Sequence, residues 1–247
     1  ALLGVKGDPM CLKLLPEHLQ TEEVCREAVS RNGELLSFVP EPLRTARMCA
    51  IAVSASYHTL QFVPDEHHSP RLYRQALAQD ALAIGYFKPE LLTREMCNEA
   101  LARADDLRVL RYIPFPDIHE RVLAHCKSYI QTQHFLACMN PAYMTTKLAE
   151  MIFIKEPELF YDIPERFKDR KLCETAVRYD GYYLRMVPEK FKTPELCREA
   201  IRRSPNAIPY IPESMKTPEF YRELVKENPR NLYGIPENDL TDDLCKM

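Results

Sequence analysis

The sequence predicts an all-α fold, an α-solenoid of about ten helical hairpins, each 24 residues long, wound as a superhelix. Three observations carry this expectation. Ten prolines recur at near-equal intervals, at Pro16, Pro40, Pro64, Pro89, Pro114, Pro141, Pro164, Pro188, Pro212 and Pro236. Residues suited to capping a helix follow most of them, at Thr21, Thr45, Ser69, Thr93, Asp169, Thr193, Thr217 and Thr241. An apolar stripe then follows the cap, as in Leu196, Cys197, Ala200 and Ile201. A fold with one core has no reason to repeat itself in this way, whereas stacked equivalent units do.

The first element of each repeat is a helix A of about 11 residues. In Thr193-Pro194-Glu195 a hydroxyl N-cap precedes a proline at the first helical position and an acid in the first turn, three features that start a helix. The apolar residues after it fall at i, i+1, i+4 and i+5, which is one helical face. The same set returns as Val24, Cys25, Ala28, Val29, as Met48, Cys49, Ala52, Val53 and as Leu172, Cys173, Ala176, Val177. Its small alanine admits a neighbouring helix closely, while Arg26 and Glu27 or Arg198 and Glu199 form the solvated face.

A shorter helix B, of one to two turns, precedes each proline. Its apolar residues lie three apart, as Leu36 and Val39, Leu60 and Val63, Leu184 and Val187, Leu232 and Ile235. Proline disfavours helical geometry in the residue before it, so helix B stops there. A tight turn carrying Leu19, Leu43, Phe167, Phe191 or Met215 then leads to the next cap. Helices this short are not stable alone in water, so they persist by stacking and the array is cooperative between neighbours. Regularity weakens from 114 to 157, where the proline interval widens, caps are poor and histidines and cysteines gather. No polar capping repeat is visible where Cys245 and Met247 end the sequence. The expectation is one repeat domain over 1–247, a segment of a longer protein.

The 247 residues carry a net charge of −3, with 28% charged and 46% hydrophobic residues. No basic stripe argues for nucleic acid, and no apolar run approaches the roughly 20 residues that span a bilayer. Six of the nine cysteines, Cys25, Cys49, Cys97, Cys173, Cys197 and Cys245, hold equivalent places, where other repeats have Tyr73, Leu123 or Tyr221. A position that accepts Cys, Tyr or Leu is a packing position. Equivalent residues of stacked helices lie too far apart for disulfides. The thiols are therefore expected to be reduced, in the cytoplasm or another reducing compartment.

The stretches TEEVCREAVSRNGELLSFVPE (21–41) and KLCETAVRYDGYYLRMVPE (171–189) resemble bacterial α-helical tandem-repeat families of unknown function, some of them in secreted effectors. The resemblance implies a helical repeat fold and, beyond it, an effector context in a host cell cytosol. It carries over no catalytic residues.

Two residues before the prolines stand Phe38, Phe62, Phe87, Tyr112, Met186 and Tyr210. If helix B lines the inner curve, they form an aromatic ladder along a groove able to hold an extended peptide or an amphipathic helix; the plainer reading packs them between repeats. Asp162 and Gly234 interrupt the ladder. In the irregular centre, His119, His125, Cys126, His134 and Cys138 invite a zinc reading, since His134 and Cys138 share a helical face. Surface histidines beside core cysteines explain the same residues without metal, and no metal or other cofactor is expected. A Cys–His nucleophile pair there lacks any oxyanion-hole motif, and His67 and His68 read as a solvated turn. Phosphate-cradling glycine loops and the common hydrolase and metalloprotease motifs are missing. The expected function is a protein–protein interaction scaffold or targeting module. The alternatives are a substrate-binding arm of an enzyme whose catalytic domain lies outside this chain, or a solenoid binding a metal or small ligand at its centre.

Overall fold

Capping sets the helix starts. In the computed structural model, which describes residues 1–241 and residue 244, Thr21, Thr45, Ser69, Thr93, Asp169, Thr193 and Thr217 each accept the backbone N–H three residues on. The helices are α1 (Leu2–Gly7), α2 (Glu22–Arg31), α3 (Ala46–Ala55), α4 (Pro70–Leu77), α5 (Arg94–Arg103), α6 (Pro116–His125), α7 (Tyr129–Cys138), α8 (Thr146–Lys155), α9 (Arg170–Tyr179), α10 (Pro194–Arg203) and α11 (Pro218–Glu227). Among the described residues there is no strand. Thr193→Ala is expected to lower stability by ~1 kcal/mol, read as a shift of the urea midpoint at constant m-value; an unshifted midpoint would show that Pro194 and packing alone start α10.

Helix B is a six-residue 3-10 helix rather than a turn of α-helix. It runs over Gly33–Phe38, Tyr57–Phe62, Ala81–Tyr86, Leu107–Tyr112, Gly181–Met186, Pro205–Tyr210 and Pro229–Gly234. Side chains three apart eclipse in a 3-10 helix, which puts Gly33 and Leu36, or Gly181 and Leu184, on the buried side, and the extended residues Val39 and Val187 follow them into the core. A second capping row starts these segments: Asn32, Asp80, Asp106, Asp180 and Asn228 accept the N–H two residues on. Each segment ends on an extended residue such as Val39 or Val187, as the following proline requires.

Packing runs from neighbour to neighbour. The segment 33–38 lies against α2 and α3, and 181–186 against α9 and α10, while α2 meets α3 and α3 meets α4. The core is the predicted stripe: Cys25, Ala28, Cys49, Ala52, Cys97, Ala100, Cys173, Ala176, Cys197 and Ala200 are all fully buried. Every cysteine among the described residues is a free thiol, and Cys245 lies outside them. Burial pushes the thiols up, Cys49 and Cys197 to about 11 and Cys97 and Cys173 to about 12.

The true register is that of the caps. Thr21, Thr45, Ser69 and Thr93 follow one another at 24 residues, as do Thr145, Asp169, Thr193 and Thr217. Pro89 and Pro141 stand one residue late, at the first position of the short 3-10 turns Pro89–Leu91 and Pro141–Tyr143 instead of capping them. That slip conceals Thr145, which accepts the Leu148 N–H at 3.1 Å, so the expectation of poor caps fails at α8. The rest of the irregular stretch has a different cause. Beginning at Pro116, α6 follows Pro114 with no 3-10 turn, and a full α-helix, α7, replaces the usual 3-10 segment.

Within this stretch the chain divides into two compact units. The first comprises Ala1–Ile118 with Cys138–Asn140, the second His119–Ala137 with Pro141–Met247.

Candidate functional site

In the six-residue 3-10 segments the last residue stands at the rim, just before an extended residue that in most of them enters the core. In the first unit this row is Leu14, Phe38, Phe62, Tyr86 and Tyr112. Leu14 is 84% exposed, Phe38 44% and Tyr112 38%, while Phe62 and Tyr86 are half-buried. Phe38 and Phe62 line one cleft of about 290 Å³, with Met10, Lys13 and His58. The Lys13 ammonium sits 4.6 Å from the Phe38 ring centroid. Further along, His58 Nδ1 and the Tyr86 hydroxyl lie 3.0 Å apart with the two rings edge to face. The Tyr112 ring covers Gly85, where a Cβ would come within 2.9 Å of it.

Phe87 does not belong to this row. Lys88 is inserted before Pro89, so Phe87 takes the core place that Val39 and Val63 hold, and Tyr86 is the true equivalent of Phe38. Phe87 is 8% exposed and stacks on Tyr73 with centroids 3.9 Å apart. In the second unit Met186 and Tyr210 are half-buried, with Tyr210 edge-on to Tyr182 at 5.7 Å. Gly234 occupies the same place with no side chain to offer.

A second row of polar side chains stands just before the caps, and sequence reading missed it because its members share only the capacity to donate. Gln20 Nε2 donates to the Leu15 carbonyl at 2.9 Å and Arg44 Nε to the Val39 carbonyl at 2.8 Å. Arg44 Nη1 also reaches the Phe62 carbonyl, and Lys192 Nζ the Tyr210 carbonyl, each at 2.9 Å in the next repeat. His68 belongs here and is not a solvated turn residue: Nε2 faces the Val63 carbonyl at 3.1 Å and Nδ1 the Tyr73 hydroxyl at 2.9 Å. Burial above all, then the Lys88 charge, holds the imidazole below its ordinary pKa. The half-buried His67 makes no comparable contact.

The central histidines and cysteines are spread over several environments. His125 and His134 are exposed, Cys126 and Cys138 buried. His125 Nδ1 lies 2.7 Å from the Arg121 carbonyl and Cys126 Sγ 3.6 Å from the Val122 carbonyl. His119, fully buried, meets Phe135 edge to face. Among the described residues, no three His, Cys, Asp or Glu side chains are grouped so as to hold a metal ion. Burial raises the Cys126 and Cys138 thiols, the opposite of what an activated nucleophile needs.

Among the described residues, no helix is long and apolar enough to cross a membrane. No curated protein and no solved structure matches the chain. A family model described as a domain of unknown function (DUF4116) matches two segments, residues 1–44 and 169–216; each contains two α-helices, α1 and α2 or α9 and α10, with their neighbouring 3-10 segments and the threonine cap at Thr21 or Thr193.

Proposed function

We propose that this chain is a superhelical α-solenoid scaffold that recognises another protein through the rim of its 3-10 segments. The carrying observation is the row Leu14, Phe38, Phe62, Tyr86 and Tyr112, large apolar and aromatic side chains brought to one rim at a 24-residue step over its first four members. Aromatic residues are enriched where proteins recognise one another, because they supply much contact area at little entropic cost. The Phe38–Phe62 cleft, at about 290 Å³, lies at the small end of metabolite pockets and fits a single anchoring side chain of an extended peptide. Neighbouring units would then take successive stretches of one ligand, and the variable rim residues would set specificity. The setting that goes with this reading is a secreted bacterial effector in the reducing cytosol of a host cell.

Selection of a random peptide library against the whole chain tests the reading. Enriched peptides should lose at least about tenfold in affinity for Phe38→Ser/Phe62→Ser, the scale of a lost aromatic anchor, while unfolding of the variant is unchanged. Enrichment of nothing, or of peptides that bind the variant equally, would remove the rim as a recognition surface. The enzyme-arm and metal-site alternatives have no observation of their own in their favour.

A further inference from the structure

We propose that Lys168 forms the floor of a carboxylate-binding site, in a cleft of about 530 Å³ of the second unit bordered by Tyr161, Arg185, Met186 and Lys192. The site stands apart from the Phe38–Phe62 cleft and does not depend on the recognition reading. Lys168 is only 4% exposed. Among the described residues its ammonium has no hydrogen-bond acceptor, and it rests 4.5 Å from the centroid of the buried Phe160 ring. With its stem buried and its tip at the cleft, this cation must take its acceptor from what enters there. The other donors of its row are satisfied: Arg44 by two carbonyls, His68 by one, Lys192 by the Tyr210 carbonyl and Glu189, Lys216 by Glu213.

The contrast with its own row is specific. Glu189 and Glu213 stand three residues before Lys192 and Lys216 and pair with them at 2.7 and 2.6 Å. Glu165 stands three residues before Lys168, yet the amine turns inward to Phe160. Desolvation lowers its pKa, against smaller opposing effects from Cys173, Glu165 and Asp162. An anion entering the cleft would supply the missing acceptor and stabilise the ammonium form. Arg185 offers a second donor group at the same cleft, its guanidinium lying 5.0 Å from each of the Tyr161 and Tyr182 rings and donating to the Tyr182 hydroxyl at 2.6 Å.

Charge selects the class of anion. Asp162, Glu165 and Glu189 also border the cleft, and Glu189 is already tied to Lys192. A phosphate dianion would be repelled by these carboxylates, whereas a single carboxylate matches the one unsatisfied ammonium and can take a charge-assisted hydrogen bond. It can come from an acidic side chain of a protein or from a free organic acid.

The test is NMR titration of the whole chain carrying 13C-labelled lysine, with sodium acetate, N-acetyl-glutamate methylamide and inorganic phosphate as probes. The Lys168 Cε resonance should shift saturably with the carboxylates and more weakly with phosphate. That of Lys190, exposed beside the Phe191 ring, should stay in place. Lys168→Met should weaken carboxylate binding at least about tenfold, the loss expected of one buried charge-assisted bond. If that variant fails to fold, the native Lys168 resonance alone decides. A capped glutamate binding more tightly than acetate would assign the site to a protein side chain, and the reverse order to a free acid; both support a carboxylate site. No saturable shift, equal shifts at Lys190, or tighter binding of phosphate would overturn it.

Discussion

Gly181→Val is expected to lower the unfolding free energy by about 3 kcal/mol, the upper range for forcing atoms into a packed core. The segment 181–186 lies against α10 with no room for a side chain at its first residue. A Cβ at 181 would overlap the Ala200 carbonyl oxygen and come within 2.8 Å of the carbonyl carbon and 3.1 Å of Cα. All three are backbone atoms of a helix, which cannot rotate aside as a flexible side chain would. Gly33 has the same relation to Ala52, less severely, at 2.8 Å from the carbonyl oxygen. Gly4 meets nothing within 4 Å, so Gly4→Val serves as a control of little effect. Urea unfolding followed by circular dichroism reads the difference; an unshifted midpoint for Gly181→Val would show that α10 moves away without cost.

The second large effect is alkaline. In the native chain Cys49 and Cys197 hold their protons to about 11 and Cys97 and Cys173 to about 12, because an ionised thiolate would be stranded in the stripe. Unfolded, the same thiols ionise near their ordinary value of 9.0. Above that pH the unfolded chain binds fewer protons than the native one, so stability falls. The contribution is fully present below about pH 9 and is lost as the pH rises toward 11–12. Each thiol costs about 1.4 kcal/mol per pH unit in that window. With Cys49 and Cys97 in one unit and Cys173 and Cys197 in the other, each unit loses roughly 3 kcal/mol per pH unit. Two such pH units amount to about 6 kcal/mol, the low end of the stability of an ordinary domain, about 5–15 kcal/mol. Loss of helical signal is therefore expected between pH 10 and 11. Helicity and urea midpoints held constant from pH 9 to 10.5 would contradict it.

What the sequence made legible was whatever had a local cause. A threonine whose hydroxyl must meet an N–H three residues on leaves a readable trace, so the helix starts from α2 to α5 and α9 to α11 stand where they were expected. Cys25 and its equivalents were legible for the same reason, since only packing lets Cys, Tyr and Leu share one place. The 3-10 geometry of helix B left no such trace, because Leu36 and Val39 three apart satisfy an α-turn and a 3-10 turn alike. Counting from prolines misplaced Phe87 and hid Thr145, because a proline can either cap the short turn or open it. The need for glycine at 181 was invisible too: Ala81 and Pro205 hold the same place in other repeats, and only the distance to the next helix separates these cases. At the rim, sequence named Phe38, Phe62, Tyr112, Met186 and Tyr210, but not the donor row beneath them. Gln20, Arg44, His68 and Lys192 share no size, charge or shape, and their common task appears only once the carbonyls they reach are in place.

The constant cap-to-cap step has a consequence for how such a chain can change. A block from Thr45 to His68 carries its own helix start, its own 3-10 segment and the donor that reaches back to the preceding carbonyl. Its buried stripe meets a neighbour built to the same pattern on either side. Duplicating or deleting the block leaves every local hydrogen bond with an equivalent partner and moves later rim residues by one whole step. Length is thus a variable the architecture can alter by genetic copying, with the spacing of rim side chains conserved, and a ligand with more anchors could be met by adding units rather than by redesigning a surface.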